Sequence, residues 1–164
     1  MKKSLITLLL FIFVKSSFAQ TTTPATPGFT TLPLPAFSIT KVPDSTIFTR
    51  GDLAKDKETI IIIFSPDCEH CQRETDSLIA HIDLFKGVQI VMASPLDYSE
   101  VKKFYGDYHI AKYPLISMGR DGSYALGSFY HVHNFPSIYI YDKDGQFKNS
   151  FEGSYPVQKV AAAL

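Results

Sequence analysis

The chain has 164 residues, of which 45% are hydrophobic, 20% charged and 13% aromatic, and its 16 Lys and Arg are balanced by 16 Asp and Glu. This composition fits one ordinary globular domain with a short addition. It lacks the basic excess expected of a nucleic-acid or anionic-lipid binder.

The addition is at the start. Met1-Lys2-Lys3 is a basic n-region, Leu5 to Val14 an apolar run of ten residues, and Ser17-Phe18-Ala19 places small residues at the two positions a signal peptidase inspects. Residues 1–19 therefore read as a cleaved signal peptide and imply a periplasmic or otherwise exported protein. A transmembrane anchor needs about 20 apolar residues, and Lys15 interrupts the run, so no integral membrane segment is expected in the mature chain. Cleavage removes three of the 16 basic residues and none of the acidic ones, leaving a net charge of about −3.

Residues 20–36 are rich in proline and threonine without periodicity and read as an extended leader. The folded domain is expected over 37–164. Phe37 to Thr40 alternates as a short strand, Pro43-Asp44 marks a turn, and Thr46 to Phe48 is a second extended piece. Arg50 to Lys57 is polar, with room for one helical turn.

Thr59 to Phe64 contains four consecutive isoleucines. A β-branched apolar run of this length suits a strand buried on both faces of a sheet. It stops at Ser65-Pro66-Asp67, where Asp67 is placed to cap the helix that follows. In that helix Leu78, Ile79, Ile82 and Phe85 form an apolar face, Gln72, Arg73, Glu74, Asp76 and Asp83 take the remaining positions, and Lys86-Gly87 ends it.

Val88 to Ala93 is another apolar strand, and Tyr98, Val101, Phe104 and Tyr105 give a helical pattern closing near Gly106. Strand, helix, strand, helix is the sign of a parallel βαβ arrangement. Lys112 to Ser117 is a further strand, and Gly119 to Gly127 is turn-rich. Ser137 to Tyr141 is β-rich, Asp142-Lys143-Asp144-Gly145 reads as a hairpin turn, and Gln146 to Phe151 returns antiparallel. Tyr139 and Tyr141 read as packing residues. Pro156 stands at the first position of a last short helix.

Cys68 and Cys71, the only two cysteines, fall on the first turn of the helix after the isoleucine strand. A helix N-terminus favours an anion, and the reactive form of cysteine is the thiolate, so Cys68 is expected to be the more nucleophilic thiol. Two intervening residues bring Cys71 within reach to resolve a mixed disulfide at Cys68. A structural staple is most effective across a long loop, whereas this pair encloses two residues. Zinc lacks a second half-site: His70, His81, His109, His131 and His133 offer no matching pair, and no metal or other cofactor is expected.

Four features in order resemble the thioredoxin-like superfamily and, within it, the exported TlpA/ResA-type thiol–disulfide oxidoreductases. They are a buried strand ending in Ser65-Pro66-Asp67, the Cys68-Glu69-His70-Cys71 pair, a proline at 136, and the Ile138 to Gly145 hairpin. The resemblance spans about 36–164 and implies an α/β fold with a central mixed sheet flanked by helices, carrying the extra elements of that branch. It further implies a cis Pro136 facing the cysteines, and a backbone before it, at Phe135, that receives the client peptide as an added strand.

The polar residue often found in the family's preceding strand is Ile62 here, so another proton acceptor must serve Cys71. Glu69 is one candidate; the same residue also reads as a solvated first-turn glutamate. His70, if protonated, would stabilise a thiolate and bias the pair toward oxidation. Expected partners are client protein thiols or disulfides and an unidentified redox partner. The resemblance favours an oxidoreductase working as a reductase; two other readings stand beside it, a thiol peroxidase, from Ser65 three positions before Cys68, and a non-catalytic binding module on the same fold.

Overall fold

The computed structural model describes residues 32–164; the expected signal peptide and most of the expected leader lie outside the described residues. Seven strands, β1 (Ser38–Lys41), β2 (Ile47–Thr49), β3 (Thr59–Ile63), β4 (Gln89–Ser94), β5 (Ile116–Arg120), β6 (Ser137–Tyr141) and β7 (Phe147–Glu152), form one sheet. Their spatial order is β2-β1-β5-β4-β3-β6-β7. The sheet is mixed, because β3, β4 and β5 run parallel while β6 joins β3 antiparallel.

The isoleucine run occupies the middle of this sheet for a simple reason. Alternate side chains of a strand point to opposite faces, and here both faces are covered. Ile60, Ile62 and Phe64 enter a core shared with α1 (Glu69–Ala80), α2 (Tyr98–Asp107) and α4 (Val157–Ala161). Ile61 and Ile63 enter a second core beneath α3 (Ala125–Tyr130) and the N-terminal segment. All five β3 residues are buried.

Tyr139 and Tyr141 are buried packing residues in the second core. Tyr130 stacks on Tyr139 with centroids 3.7 Å apart and hydrogen-bonds Tyr141 hydroxyl to hydroxyl at 2.7 Å. Burial pushes both β6 tyrosines up to about 12.

Several sequence expectations need correction. Leu34 and Pro35 are buried, and the Leu34 N–H donates to the Gly145 carbonyl, so packing begins inside the segment read as leader. The long amphipathic helix ends at Ala80 and continues as a separate 3-10 turn, Ile82–Phe85. Its hydrophobic repeat survives the break, which is why periodicity alone could not find it. Strand β5 starts four residues later than expected, because Ile110–Lys112 forms a 3-10 turn and Gly119 and Arg120 pair with β4. The turn-rich stretch also holds α3. Pro156 is the N-cap of α4 and precedes its first helical residue.

Asp121 explains why a helix as short as α3 forms after β5. Its side chain is 3% exposed and accepts the N–H groups of Ala125 (3.0 Å) and Leu126 (2.8 Å), donors that a helix start leaves unpaired. α3 in turn delivers the loop 131–136. Asp121→Ala is expected to lower stability by about 2 kcal/mol, from a lost cap and two stranded donors. Urea unfolding checks this, and a loss below about 0.5 kcal/mol would show that the helix start does not depend on Asp121.

Candidate functional site

β3 delivers the chain at Phe64 to the edge of the helical layer, and the turn Ser65-Pro66-Asp67 reverses it into α1. The Ser65 hydroxyl donates to the Asp67 carboxylate, and the Cys68 N–H donates to the Ser65 carbonyl at 3.2 Å. Asp67 therefore ties the turn together and does not cap the helix. Cys68 itself is the N-cap residue, with no side-chain cap, and its carbonyl accepts the Gln72 N–H at 3.0 Å. Gln72 returns a side-chain bond to the Pro66 carbonyl at 2.9 Å.

The two thiols occupy different environments. Cys68 is half-buried, whereas Cys71, one turn into α1, is 1% exposed. Burial pushes the Cys71 thiol well above its ordinary range. The Ser65 N–H, 3.5 Å from Cys71 Sγ, opposes that shift, while the neighbouring Cys68 and Asp67 add to it.

Pro136 arrives from the other end of the fold. The antiparallel register pairs Ile63 with Ser137, so the residue before β6 lies across from the end of β3. The Phe135–Pro136 bond is cis, and the Phe135 carbonyl accepts from Cys68 Sγ at 3.7 Å. Residues 67 apart in sequence thus meet through the Cys68 sulfur and one backbone oxygen.

No protein-family model and no curated protein matches the sequence. Solved structures do resemble the fold. StoA from Bacillus subtilis aligns with a TM-score of 0.58 at 16% identity over 79% of this chain and 96% of its own. A secreted Mycobacterium tuberculosis disulfide oxidoreductase, described as homologous to Escherichia coli DsbE, gives 0.65 at 18% identity over 77% and 92%. A peroxiredoxin-like protein from Aquifex aeolicus gives 0.65 at 20% identity over 82% and 87%. The fold is thioredoxin-like. At these identities the likeness speaks for architecture, and the chemistry has to be argued from the side chains.

Within this thioredoxin-like frame, Glu69 and His70 lie on the outer side of α1. Glu69 has an 85% exposed side chain and pairs with Arg73 at 3.5 Å. The same arginine bonds His70 Nδ1 at 2.9 Å, and since guanidinium only donates, that nitrogen is the acceptor. Among the more distant histidines, His131 closes α3 in a left-handed conformation and His133 uses its backbone N–H on Glu152.

The carboxylate that shares a cavity with Cys71 is Glu74. The sequence reading placed it among the polar positions of α1, yet it is 7% exposed. Cys71, Glu74, Thr75 and Leu78 are the buried residues of the helix, and their spacing of three, one and three marks a single face. That signal was available, but a glutamate in an apolar face reads as an exception until the surrounding elements are known. Glu74 and Cys71 line one narrow cavity with Thr75, Ile62 and Pro136, whose free space of about 10 Å³ has room for one water at most.

Burial raises the Glu74 carboxyl, while the Tyr155 N–H and the Ser154 hydroxyl pull it back in part. A carboxyl that holds its proton more tightly when folded contributes most to stability in acid, and that contribution is lost as pH rises through its folded-state value. The free energy of unfolding of the wild type is therefore expected to fall as pH rises beyond the ordinary carboxylate range. Glu74→Gln should flatten that part of the profile. Urea midpoints across a pH series measure it, and identical slopes for the two proteins would refute the assignment.

Proposed function

We propose that the protein is an exported thiol–disulfide oxidoreductase acting on client proteins, working in the reducing direction. The observation that carries this reading is the contact of the half-buried Cys68 sulfur with the carbonyl before cis-Pro136, with a buried Cys71 on the same turn behind it. Export rests on the signal-like residues 1–19 and accords with a neighbour described as secreted.

In the first step the Cys68 thiolate attacks one sulfur of a client disulfide. The client S–S bond breaks, a Cys68–client disulfide forms, and the other client sulfur leaves as a thiolate that takes a proton. Cys71 then loses its proton and attacks the Cys68 sulfur, expelling the second client thiol. Two electrons have passed to the client, and the protein retains the Cys68–Cys71 disulfide until a dithiol donor reduces it. Phe135 and Pro136 hold the client backbone beside Cys68.

Glu74 is the proton acceptor for the second step. A buried thiol held above its ordinary range needs a base close by, and Glu74 is the carboxylate that shares its cavity. Glu69 is too exposed and too engaged with Arg73 to take that part. The reducing direction rests on the resemblance of the Cys68-to-Cys71 motif and Pro136 to reducing members of the TlpA/ResA type. The Ser65 hydroxyl, bonded to Asp67, is committed within the turn, which favours disulfide exchange over a peroxidase site.

Cys71→Ala is expected to accumulate a covalent client complex through Cys68, visible on non-reducing gels with a disulfide-containing client and absent in the Cys68→Ala, Cys71→Ala double variant. Failure to trap any adduct would overturn the mechanism. Glu74→Gln should slow resolution of the mixed disulfide on the order of a hundredfold at neutral pH, with the deficit shrinking as pH rises. Stopped-flow release of the client thiol measures this.

A further inference from the structure

The turn between β7 and α4, Glu152-Gly153-Ser154-Tyr155, touches both halves of the site without containing either cysteine or Pro136. Glu152 Oε1 accepts the N–H groups of His133 and Asn134, each at 3.2 Å. The Gly153 N–H donates to the Pro136 carbonyl at 2.8 Å. Ser154 and Tyr155 stand next to Glu74 and partly offset the effect of burial on its carboxyl. Glu152 and Gly153 thus hold the backbone on either side of Phe135, and Ser154 and Tyr155 follow beside Glu74.

The local backbone is built for this. Gly153 has φ +85°, a left-handed conformation that suits glycine, and it lets Glu152 and Ser154 face different partners. The loop being held has few regular bonds of its own. It follows the left-handed His131 at the end of α3, and inside it the Asn134 carbonyl accepts the Ser137 hydroxyl at 2.7 Å. A carboxylate accepting two successive backbone donors fixes the direction of the peptide planes before Phe135, and charge-assisted bonds of this kind are stronger than neutral ones.

We propose that Glu152 is a positioning residue of the redox site, holding the 133–135 backbone in the orientation in which it captures an extended client segment beside Cys68. This deepens the oxidoreductase reading and rests on it. Because the clamp acts on the client-binding backbone and leaves the cysteines alone, its loss should fall on KM more than on kcat.

The test compares Glu152→Gln, Glu152→Asp and Glu152→Ala with the wild type, using the disulfides of insulin as the model client and amide hydrogen exchange at His133 and Asn134 as a direct readout of the clamp. Gln keeps the reach and an accepting oxygen and should stay within about threefold of wild type in both. Asp keeps the charge but loses the reach; it and Ala should show about tenfold faster exchange at the two amides and about tenfold higher KM, with kcat within about twofold. Unchanged exchange in Ala and Asp would overturn the proposal, as would a loss borne equally by kcat and KM with Gln as impaired as Ala. If the wild type exchanged no disulfides, the oxidoreductase reading would fail by itself, and the exchange rates would still decide whether Glu152 holds the loop.

Discussion

The antiparallel pairing of β3 with β6 is the constraint on which the site depends. One strand ends where the cysteine turn begins, and the other begins immediately after Pro136, so the register Ile63 to Ser137 sets the distance between the Cys68 sulfur and the Phe135 carbonyl. A slip of one residue would turn every side chain of β6 to the opposite face. Ile138 and Ile140 would leave the core under α1, and Tyr139 and Tyr141 would leave the one under α3. The packing of two cores therefore fixes a contact at their margin, where Cys68 packs against the first and Phe135 against both.

The strands of this central pair were legible because each carries its own signal. Four isoleucines in a row and an alternating Ile and Tyr run describe buried strands whatever surrounds them. The cysteine pair and Pro136 stood out for similar reasons, as residues whose chemistry or backbone geometry is unusual. What could not be read was set by partners distant in sequence. β5 begins where it does because it must pair with β4 and β1. Leu34, amid prolines, is buried because Gly145 receives its N–H. Glu74 looked like solvent-facing polarity because nothing local announces that Val157 and Val160 of α4 will close the space around it.

In the proposed site, Glu74 and Glu152 would serve the thiols in two different ways. Glu74 is enclosed, and the cost of burying it is offset only in part by the neighbouring Tyr155 and Ser154, so its proton is held tightly. A group with that property is badly suited to stabilising a fold and well suited to exchanging a proton with a neighbour that is itself reluctant to ionise. Glu152 is exposed, and its value lies in geometry: one oxygen meets two backbone donors of the loop. The Glu69 and Arg73 pair on the outside of α1 fits neither description and reads as a solvated helix pair.

The asymmetry of the two thiols follows from the same architecture. Cys68 occupies the position where the helix has not yet begun, so its side chain leans toward the Phe135 carbonyl and remains half-exposed. Cys71 lies three residues on, which on a helix returns it to the face that meets β3, and there it joins Ile62, Phe64 and Ile138 in the core. On the proposed mechanism, exposure lets the first thiol meet a client and enclosure limits the second to the sulfur beside it. Under that proposal the spacing of the motif sets the order of the two chemical steps. If Glu74 takes that proton as proposed, the proton of the second step is set beside the same Glu152-to-Tyr155 segment that holds the Pro136 loop, where the client would be received in the first.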